Sequence, residues 1–232
     1  MQDHNQPPLN PLAAVPWALS LPSIAMELVV NAGANGIVGG PSGIGWRSQA
    51  VQDFAFSPDY LRQMLTFQQY PLDGLYRPFT YPFVHTDLTQ AVFVIVILLA
   101  LSKFVGEVFH WWAVLAVFFA SSLVAALAYT AIPYTQAPLI GGYPPVYGLI
   151  GAFTYVNWLR ASVEGSGRLR AFRLIGFLLG IRIAFGSFSL VAYGVDQGTG
   201  WVWTAQLARF LTGSHLSFAV RPGWSSRAFA PR

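Results

Sequence analysis

The side chains that could carry out hydrolytic chemistry are few and scattered along this sequence. Its histidines are His4, His85, His110 and His215, and it has no cysteine. A serine hydrolase needs a serine hydroxyl within hydrogen-bond reach of a base, together with donors for the oxyanion. Ser214 directly precedes His215, but neighbouring positions on a helix point apart, so these two residues do not form a dyad. From residue types alone, no hydrolytic site is assembled.

The stretch best suited to presenting a nucleophile runs from Pro138 to Thr154. It reads PLIGGYPPVYGLIGAFT, a glycine-rich turn followed by an apolar helix with small residues. Tyr143 occupies this turn instead of Ser, Cys or Thr. A phenol with an unperturbed pKa of about 10 and no neighbouring base is a poor nucleophile. Scattered histidines with few carboxylates also fall short of a metal cluster, so no metal or other cofactor is predicted.

The composition is that of an integral membrane protein. Of the 232 residues, 54% are hydrophobic and only 9% are charged, and the mean hydropathy is +0.49. Soluble domains carry about a quarter charged residues. The glycine tract GANGIVGGPSGIG lacks the Gly-Lys-Ser/Thr ending of a phosphate loop, so it does not predict a nucleotide site. A net charge of +4 without a clustered aromatic platform argues against nucleic-acid binding.

The predicted fold is an all-α membrane bundle of about six spans, each near the roughly 20 residues that a bilayer requires. The spans are Leu12 to Val30, which Pro16 and Pro22 interrupt, Val84 to Ser102, Val108 to Ile132, Leu139 to Trp158, Leu174 to Tyr193 and Trp201 to Val220. Residues 1–11 form a polar N-terminal tail, 12–220 the membrane domain with an outer loop at about 31–83, and 221–232 a basic tail. No cleaved signal peptide is expected.

Lysine and arginine in short loops predict that both termini are cytoplasmic. The residues assigned to the cytoplasmic side are Lys103, Arg160, Arg168, Arg170, Arg173, Arg221, Arg227 and Arg232. On the outer side lie Arg47, Arg62 and Arg77, within a loop too long for an idle connection. Ser57 and Pro58 predict the start of a short interfacial helix there. The aromatic residues predicted to anchor the loop at headgroup depth are Trp46, Phe54, Phe56, Phe67 and Tyr70.

Ionisable residues at membrane depth each need a partner or water, because a charge facing lipid costs roughly 2.5–3.5 kcal/mol. The clearest are Glu27, Arg182 and Arg209; His85, Asp87 and Glu107 lie near span ends. They form either a buried network that recognises a partner or, as we favour, pairs between Glu27 and the arginines, or arginines that extend to the headgroups. Small residues four apart, such as Gly148 with Ala152, indicate close helix packing instead of chemistry.

Four ordered motifs resemble those of the rhomboid intramembrane serine proteases. Tyr76–Thr80 (YRPFT), followed by His85, is similar to the family's Trp-Arg-x-x-Thr and the histidine at the top of the second span. Gly106 and Glu107 resemble its glycine and glutamate before the third span. Gly141–Ala152 follows the shape of Gly-x-Ser-Gly-x-x-x-Gly-x-x-Gly-Ala, and Ala205–Gly213 that of Ala-His-x-x-Gly-x-x-x-Gly. The resemblance covers roughly residues 76–213, and it implies a six-helix rhomboid fold for the membrane domain, residues 12–220.

The positions that carry catalysis in this family are altered here. The nucleophile position is Tyr143 and the general-base position is Gln206. The second histidine and the oxyanion asparagine correspond to Gln90 and Val94, so that only His85 is retained. A sixth-span glycine is replaced by Arg209. We expect Arg209, Gln206, Tyr143 and His85 to fill the former site as a hydrogen-bonded plug.

The resemblance and these departures together predict a catalytically inactive rhomboid-like protein of a bacterial-type inner membrane. Its partners would be the lipid bilayer and transmembrane segments of client or partner proteins, which would bind near the second and fifth spans. The first alternative is an active intramembrane serine endopeptidase with an unassigned nucleophile. The second is a structural subunit of a larger membrane complex. Burial of the aromatic residues Phe109, Trp111, Trp112, Phe118 and Phe119 by another protein would favour the subunit, and their exposure to lipid is the simpler expectation.

Overall fold

A computed structural model describes residues 14–132 and 137–163, together with Gly176. This part of the chain is helical, with seven α-helices: α1 Ala14–Ala34, α2 Trp46–Phe54, α3 Pro58–Phe67, α4 Leu72–Thr80, α5 Leu88–Val108, α6 Trp111–Ala131 and α7 Tyr143–Val163. Short 3-10 helices precede α2 and α5, at Gly40–Gly45 and Tyr81–Phe83. The two tails, Arg182, Gln206, Arg209 and, apart from Gly176, the last two predicted spans lie outside the described residues.

Three helices within the described ranges are long and apolar enough to cross a membrane, namely α1, α5 and α6. They correspond to the first three predicted spans. The fourth predicted span, Leu139 to Trp158, overlaps α7, which has 21 residues and continues to Val163. Because Arg160 lies over the ring of Phe104, the end of α7 is beside the end of α5. The described helices therefore form a membrane bundle, and the predicted count of six spans stays a prediction.

The expectation that proline breaks the first span is wrong. Helix α1 runs unbroken for 21 residues with Pro22 inside it. Pro16 lies in the first turn, where its missing N–H has no helical acceptor. Proline within a membrane helix is tolerated because neighbouring groups compensate for the freed carbonyl.

Helix ends differ from the predicted span ends for local reasons. Helix α5 begins at Leu88, because the Asp87 carboxylate accepts a hydrogen bond from the Gln90 N–H at 2.8 Å and caps it. Helix α7 begins only at Tyr143, because Leu139 pairs with Phe56 in an antiparallel bridge. The predicted Ser57 cap of α3 is confirmed, with its hydroxyl accepting from the Tyr60 N–H at 3.3 Å.

The main hydrophobic core lies where α5 packs among α1, α6 and α7. Val94 and Leu98 of α5, Val114 of α6 and Leu149 of α7 are fully buried in it. Gly148 of α7 faces Ser121 of α6 so closely that a Cβ there would overlap the serine side chain. The interpretation of this small residue as a packing position agrees with that contact.

Two predictions for aromatic residues are wrong. Phe56 does not anchor the loop at headgroup depth: it is buried beside Tyr81 and Leu139, because the strand-like bridge turns its ring into the protein. Nor do the aromatic residues of α6 form a single lipid-facing surface. Trp111 and Trp112 are exposed, but Phe118 is buried against Phe83, with ring centroids 5.6 Å apart.

Of the three arginines in the outer segment, residues 31–83, two bind helices of the bundle and one binds within the segment. Arg47 binds Glu27 of α1, and Arg77 donates to the carbonyls of Gln52 and Ala55. Arg62 donates to the Thr130 carbonyl at the end of α6 at 3.0 Å. Cations are favoured at the carboxyl end of a helix, where carbonyls lack intrahelical donors. Arg47, Arg62 and Arg77 therefore all have hydrogen-bond partners within the described structure.

Candidate functional site

The turn before α7, residues Leu139 to Gly142, is fixed by backbone hydrogen bonds to the outer segment. The N–H of Leu139 donates to the Phe56 carbonyl at 2.7 Å, and the N–H of Phe56 donates back at 3.1 Å. The N–H of Gly141 donates to the Tyr81 carbonyl at 3.0 Å. Gly141 has φ of 90°, a conformation that glycine adopts without steric cost. The position of Tyr143 is thus set by main-chain contacts.

Three of the site positions predicted from the sequence lie against this turn. A Cβ at Gly142 would lie 2.6 Å from Val94 Cγ1 and 3.9 Å from His85 Nε2. A Cβ at Gly141 would lie 2.9 Å from the Gln90 amide nitrogen. The structure therefore places His85, Gln90 and Val94 beside the two glycines that precede Tyr143. Gln206 and Arg209 lie outside the described residues.

His85 is completely buried, and neither imidazole nitrogen hydrogen-bonds to a residue within the described ranges. Burial lowers the pKa of His85, because the charged form loses its hydration. Nearby Glu27 and Asp87 oppose that shift and Arg47 adds to it. The imidazole is therefore neutral at pH 7, with one N–H donor and one acceptor nitrogen next to Gly142.

His85 and Tyr143, the two described members of the expected plug, do not hydrogen-bond to each other. Gln206 and Arg209 lie outside the described residues, so the plug as a whole stays a prediction. Tyr143 is the first residue of α7, and its side chain packs against the hydrophobic core. Nor does a serine or threonine hydroxyl of the described segments hydrogen-bond to His85. Ser122 instead donates to the Phe118 carbonyl of its own helix at 2.9 Å. Ser121, although buried and without a partner in the described ranges, faces Gly148.

Gln90 makes polar contacts with Thr86, in the loop between His85 and α5. Its side-chain oxygen accepts from the Thr86 hydroxyl at 2.6 Å and from the Thr86 N–H at 3.0 Å. Thr86 also donates to Asp87. The hydrogen bonds from the Gln90 N–H and the Thr86 hydroxyl lower the pKa of Asp87, because they stabilise the carboxylate. Gln90 therefore orders the residues between His85 and α5.

A buried ion pair lies on the other side of His85. Glu27 is almost fully buried, and its carboxylate accepts from both terminal nitrogens of Arg47, at 3.0 and 2.8 Å. Arg47 also donates to the His85 carbonyl at 2.9 Å, and the Asn31 amide donates to Glu27 at 2.9 Å. The hydrogen bond to Glu27 raises the pKa of Arg47. The pair therefore links α1, the outer segment and the site loop.

The prediction that Glu27 pairs with Arg182 or Arg209 missed this partner. Arg47 satisfies the carboxylate from within the outer segment, twenty residues further along the chain. The available signal was a basic residue on the side where the positive-inside rule expects few. Such a residue needs a structural partner, and Glu27 was the nearest buried acid in the sequence.

The described residues offer no grouping of three histidines or acidic side chains that could hold a metal ion. The site consists of the neutral imidazole of His85, the amide of Gln90, two glycines in a fixed turn, and a tyrosine at the start of α7. A neutral imidazole can donate one hydrogen bond and accept another. Acyl transfer would require in addition a hydroxyl or thiol nucleophile at the turn.

Comparison with known proteins agrees with this arrangement of helices and glycine turn. The family model named Rhomboid domain matches residues 73–222, which is more than half of the 232-residue chain. The match includes helix α4 from its second residue onward, the His85 loop and the glycine turn before α7. No curated protein matches the sequence. The extent of the domain match shows that this chain belongs to the rhomboid family.

Proposed function

We propose that this rhomboid-family membrane protein is catalytically inactive and binds transmembrane segments of client or partner proteins. The observation that carries the proposal is the tyrosine at the turn where the family presents its serine. Tyr143 begins α7 and is partly buried against the core, and His85 has no hydroxyl partner in the described part of the chain. Gln206 at the general-base position adds to this, because a carboxamide is not a useful proton acceptor.

Loss of catalysis leaves the membrane scaffold in place. The turn before α7 is held by main-chain bonds, which do not depend on a catalytic side chain. A scaffold that crosses the membrane and exposes apolar helix faces can associate with other helices through packing and interhelical hydrogen bonds. We place the protein in a bacterial-type inner membrane, as its resemblance to the rhomboid proteases implies, with both termini in the cytoplasm, as the distribution of lysine and arginine predicts.

An activity assay tests the inactive state. The purified full-length protein in phosphatidylcholine vesicles is incubated with a fluorophosphonate probe and with a transmembrane model substrate, beside an active rhomboid protease. We expect neither labelling nor cleavage above the level of empty vesicles. Cleavage that one serine-to-alanine substitution abolishes would instead identify an active endopeptidase with a different nucleophile.

A co-purification experiment tests binding. Extraction in a mild detergent followed by mass spectrometry should recover several membrane proteins in substoichiometric amounts. Recovery of one partner in fixed stoichiometry would identify a structural subunit of a larger complex. Exposure of Trp111 and Trp112 leaves room for such a partner on α6.

A further inference from the structure

The length of α6 shows how deep the outer segment reaches into the membrane. With 21 residues, α6 is about 30 Å long, which matches the thickness of a bilayer's hydrocarbon core. Trp111 and Trp112 are exposed at its first turn, as is typical of a membrane boundary. At its other end the guanidinium of Arg62 binds the Thr130 carbonyl, and such a charged group belongs at the headgroups. Both ends of α6 therefore lie near the boundaries of the hydrocarbon core.

Residues that follow α3 contact α6 far below the boundary marked by Arg62. The Tyr81 hydroxyl donates to the Ser122 carbonyl at 3.0 Å, and the ring centroids of Phe79 and Phe119 are 6.1 Å apart. At about 1.5 Å per residue, Ser122 and Phe119 lie about 14 and 18 Å from the last residue of α6. A side chain bridges only part of such a distance. The end of α4 is therefore beside the middle of a membrane-spanning helix.

Helix α4 descends from the headgroups to this depth. Its first turn lies beside α3, because the Tyr60 hydroxyl donates to the Asp73 carboxylate at 2.9 Å. Tyr60 is two residues before Arg62, which binds the headgroup end of α6. From Leu72 to Phe79 the helix advances about 10 Å along its axis. The hairpin formed by α3 and α4, residues 58–80, therefore runs from the membrane boundary into the hydrocarbon core.

One face of α4 is apolar and exposed. Leu72, Leu75, Tyr76 and Phe79 recur at intervals of three and four residues, and all four are exposed. The opposite face carries Gly74, which fits closely against α3. Single apolar residues on a surface need no explanation, whereas a continuous stripe indicates a contact with something apolar. At the depth given by α6, the surrounding medium is hydrocarbon.

Polar side chains at the deep end of α4 are bound to the protein. Arg77 donates to two carbonyls at the end of α2, and its Nε is buried, away from the exposed face. The Thr80 hydroxyl donates to the Phe54 carbonyl at 3.1 Å, and the Tyr76 hydroxyl donates to the Asp53 carbonyl at 3.1 Å. Hydrocarbon tolerates a segment only when its polar groups are satisfied within the protein. Below its first turn, the exposed face of α4 meets this condition.

From this depth and this pattern we propose that the α3–α4 hairpin is immersed in one leaflet of the membrane, where the exposed stripe of α4 binds acyl chains. The predicted topology makes this the outer leaflet. The sequence predicted only a short interfacial helix with anchors at headgroup depth, and α4 extends beyond that level. The inference goes beyond the proposed function, because it concerns lipid and holds whether or not clients bind.

Spin labels test the immersion, and the absence of cysteine from the sequence permits single-cysteine variants without further substitutions. The full-length protein is labelled at Leu72→Cys, Leu75→Cys or Phe79→Cys and reconstituted in phosphatidylcholine vesicles. The accessibility of the label to oxygen relative to a water-soluble nickel chelate measures its depth, because oxygen concentrates in hydrocarbon. Val96→Cys, exposed on α5, is the membrane control, and Gln69→Cys, exposed in the turn between α3 and α4, is the water control.

We expect the ratio of oxygen to nickel accessibility to rise from position 69 through 72 and 75 to 79, because α4 descends. Labels at positions 75 and 79 should resemble the label at Val96. Ratios like that of Gln69 at all three α4 positions would place the hairpin in water and overturn the proposal. Equal ratios at positions 72, 75 and 79 would mean that α4 lies parallel to the membrane surface, which would also overturn it.

A buried charge provides a second test. Leu75→Asp should lower the ratio of folded to unfolded protein in bicelles about tenfold or more, because a carboxylate that faces hydrocarbon is costly. Gln69→Asp is the matched control in the turn and should change that ratio by less than about twofold. Equal effects of the two substitutions would contradict the immersion of α4.

Two other occupants of the stripe would give different results. If the label at position 75 is inaccessible to both reagents and shows spin–spin broadening, a second copy of the chain covers the stripe and the lipid assignment is wrong. If a photoreactive residue at position 75 crosslinks to another protein in cells, and not to lipid, the stripe is a protein interface and the proposal is overturned. Neither result alters the activity and co-purification assays, so failure of the immersion is distinguishable from failure of the proposed function.

Discussion

Replacing Arg47 by methionine should destabilise the protein strongly, because it leaves the Glu27 carboxylate buried without its counter-ion. The Glu27 side chain is only 6% exposed, and that of Arg47 is 25% exposed. Removing one member of a buried pair costs about 3–5 kcal/mol. Since Arg47 is partly hydrated, we expect the lower end, about 3 kcal/mol. Loss of its hydrogen bond to the His85 carbonyl is included in that value.

Replacing the other member of the pair, Glu27, should lower the free energy of unfolding by less. In Glu27→Gln the uncharged amide is cheaper to bury, and Arg47 can hydrate through its exposed part. We expect a loss of about 1 kcal/mol, the value of a typical hydrogen bond. The double variant should be more stable than Arg47→Met alone, since it contains no unpaired buried charge. The coupling energy between the two sites should be about 2 kcal/mol.

Reversible unfolding in mixed detergent micelles measures these free energies. Arg47→Lys serves as the conservative control, because it retains the charge but cannot donate through two parallel N–H groups. It should fall between the wild type and Arg47→Met. A cost below about 1 kcal/mol for Arg47→Met, or no coupling, would refute the view that this ion pair joins α1 to the outer segment.

Three further predictions concern the turn, the buried histidine and the loop. Gly142→Ala should destabilise by about 1–3 kcal/mol because its Cβ would crowd Val94, and Val94→Ala should recover part of the loss in the same unfolding assay. The lowered pKa of His85 means that the unfolded state binds a proton more readily, so stability should fall as pH drops below about 6.5. His85→Leu should reduce that slope, and an unchanged slope would contradict the assignment. Arg62→Met should expose amides at the end of α6, near Thr130, to faster hydrogen exchange without changing exchange at its start.

Local signals in the sequence predicted several elements well. Ser57 followed by Pro58 correctly marked the start of α3, since a cap depends on neighbouring residues alone. Apolar length likewise located α1, α5 and α6, because crossing a bilayer sets the required number of residues. Motif spacing named His85, Gln90 and Val94, which the structure places beside the glycine turn.

Features that depend on distant contacts were not predictable in the same way. The aromatic character of Phe56 fits an interfacial anchor or a core residue equally well, and its pairing with Leu139 decides in favour of the core. The partner of Glu27 also depends on how the outer segment folds back over α1. Arg47 reaches it only because the glycine-rich turn between them, where Trp46 packs over Gly33, reverses the chain.

The way the turn before α7 is held explains how a rhomboid fold accommodates a tyrosine at the nucleophile position. The contacts that fix it are the Leu139–Phe56 bridge and the bond from Gly141 to the Tyr81 carbonyl, all between main-chain atoms. Because these bonds involve only main-chain atoms, they can form whether position 143 holds a serine or a tyrosine. Core packing of the Tyr143 ring adds buried apolar surface that a serine would not supply. Loss of a nucleophile at this position therefore need not cost stability, and the scaffold can be retained for binding.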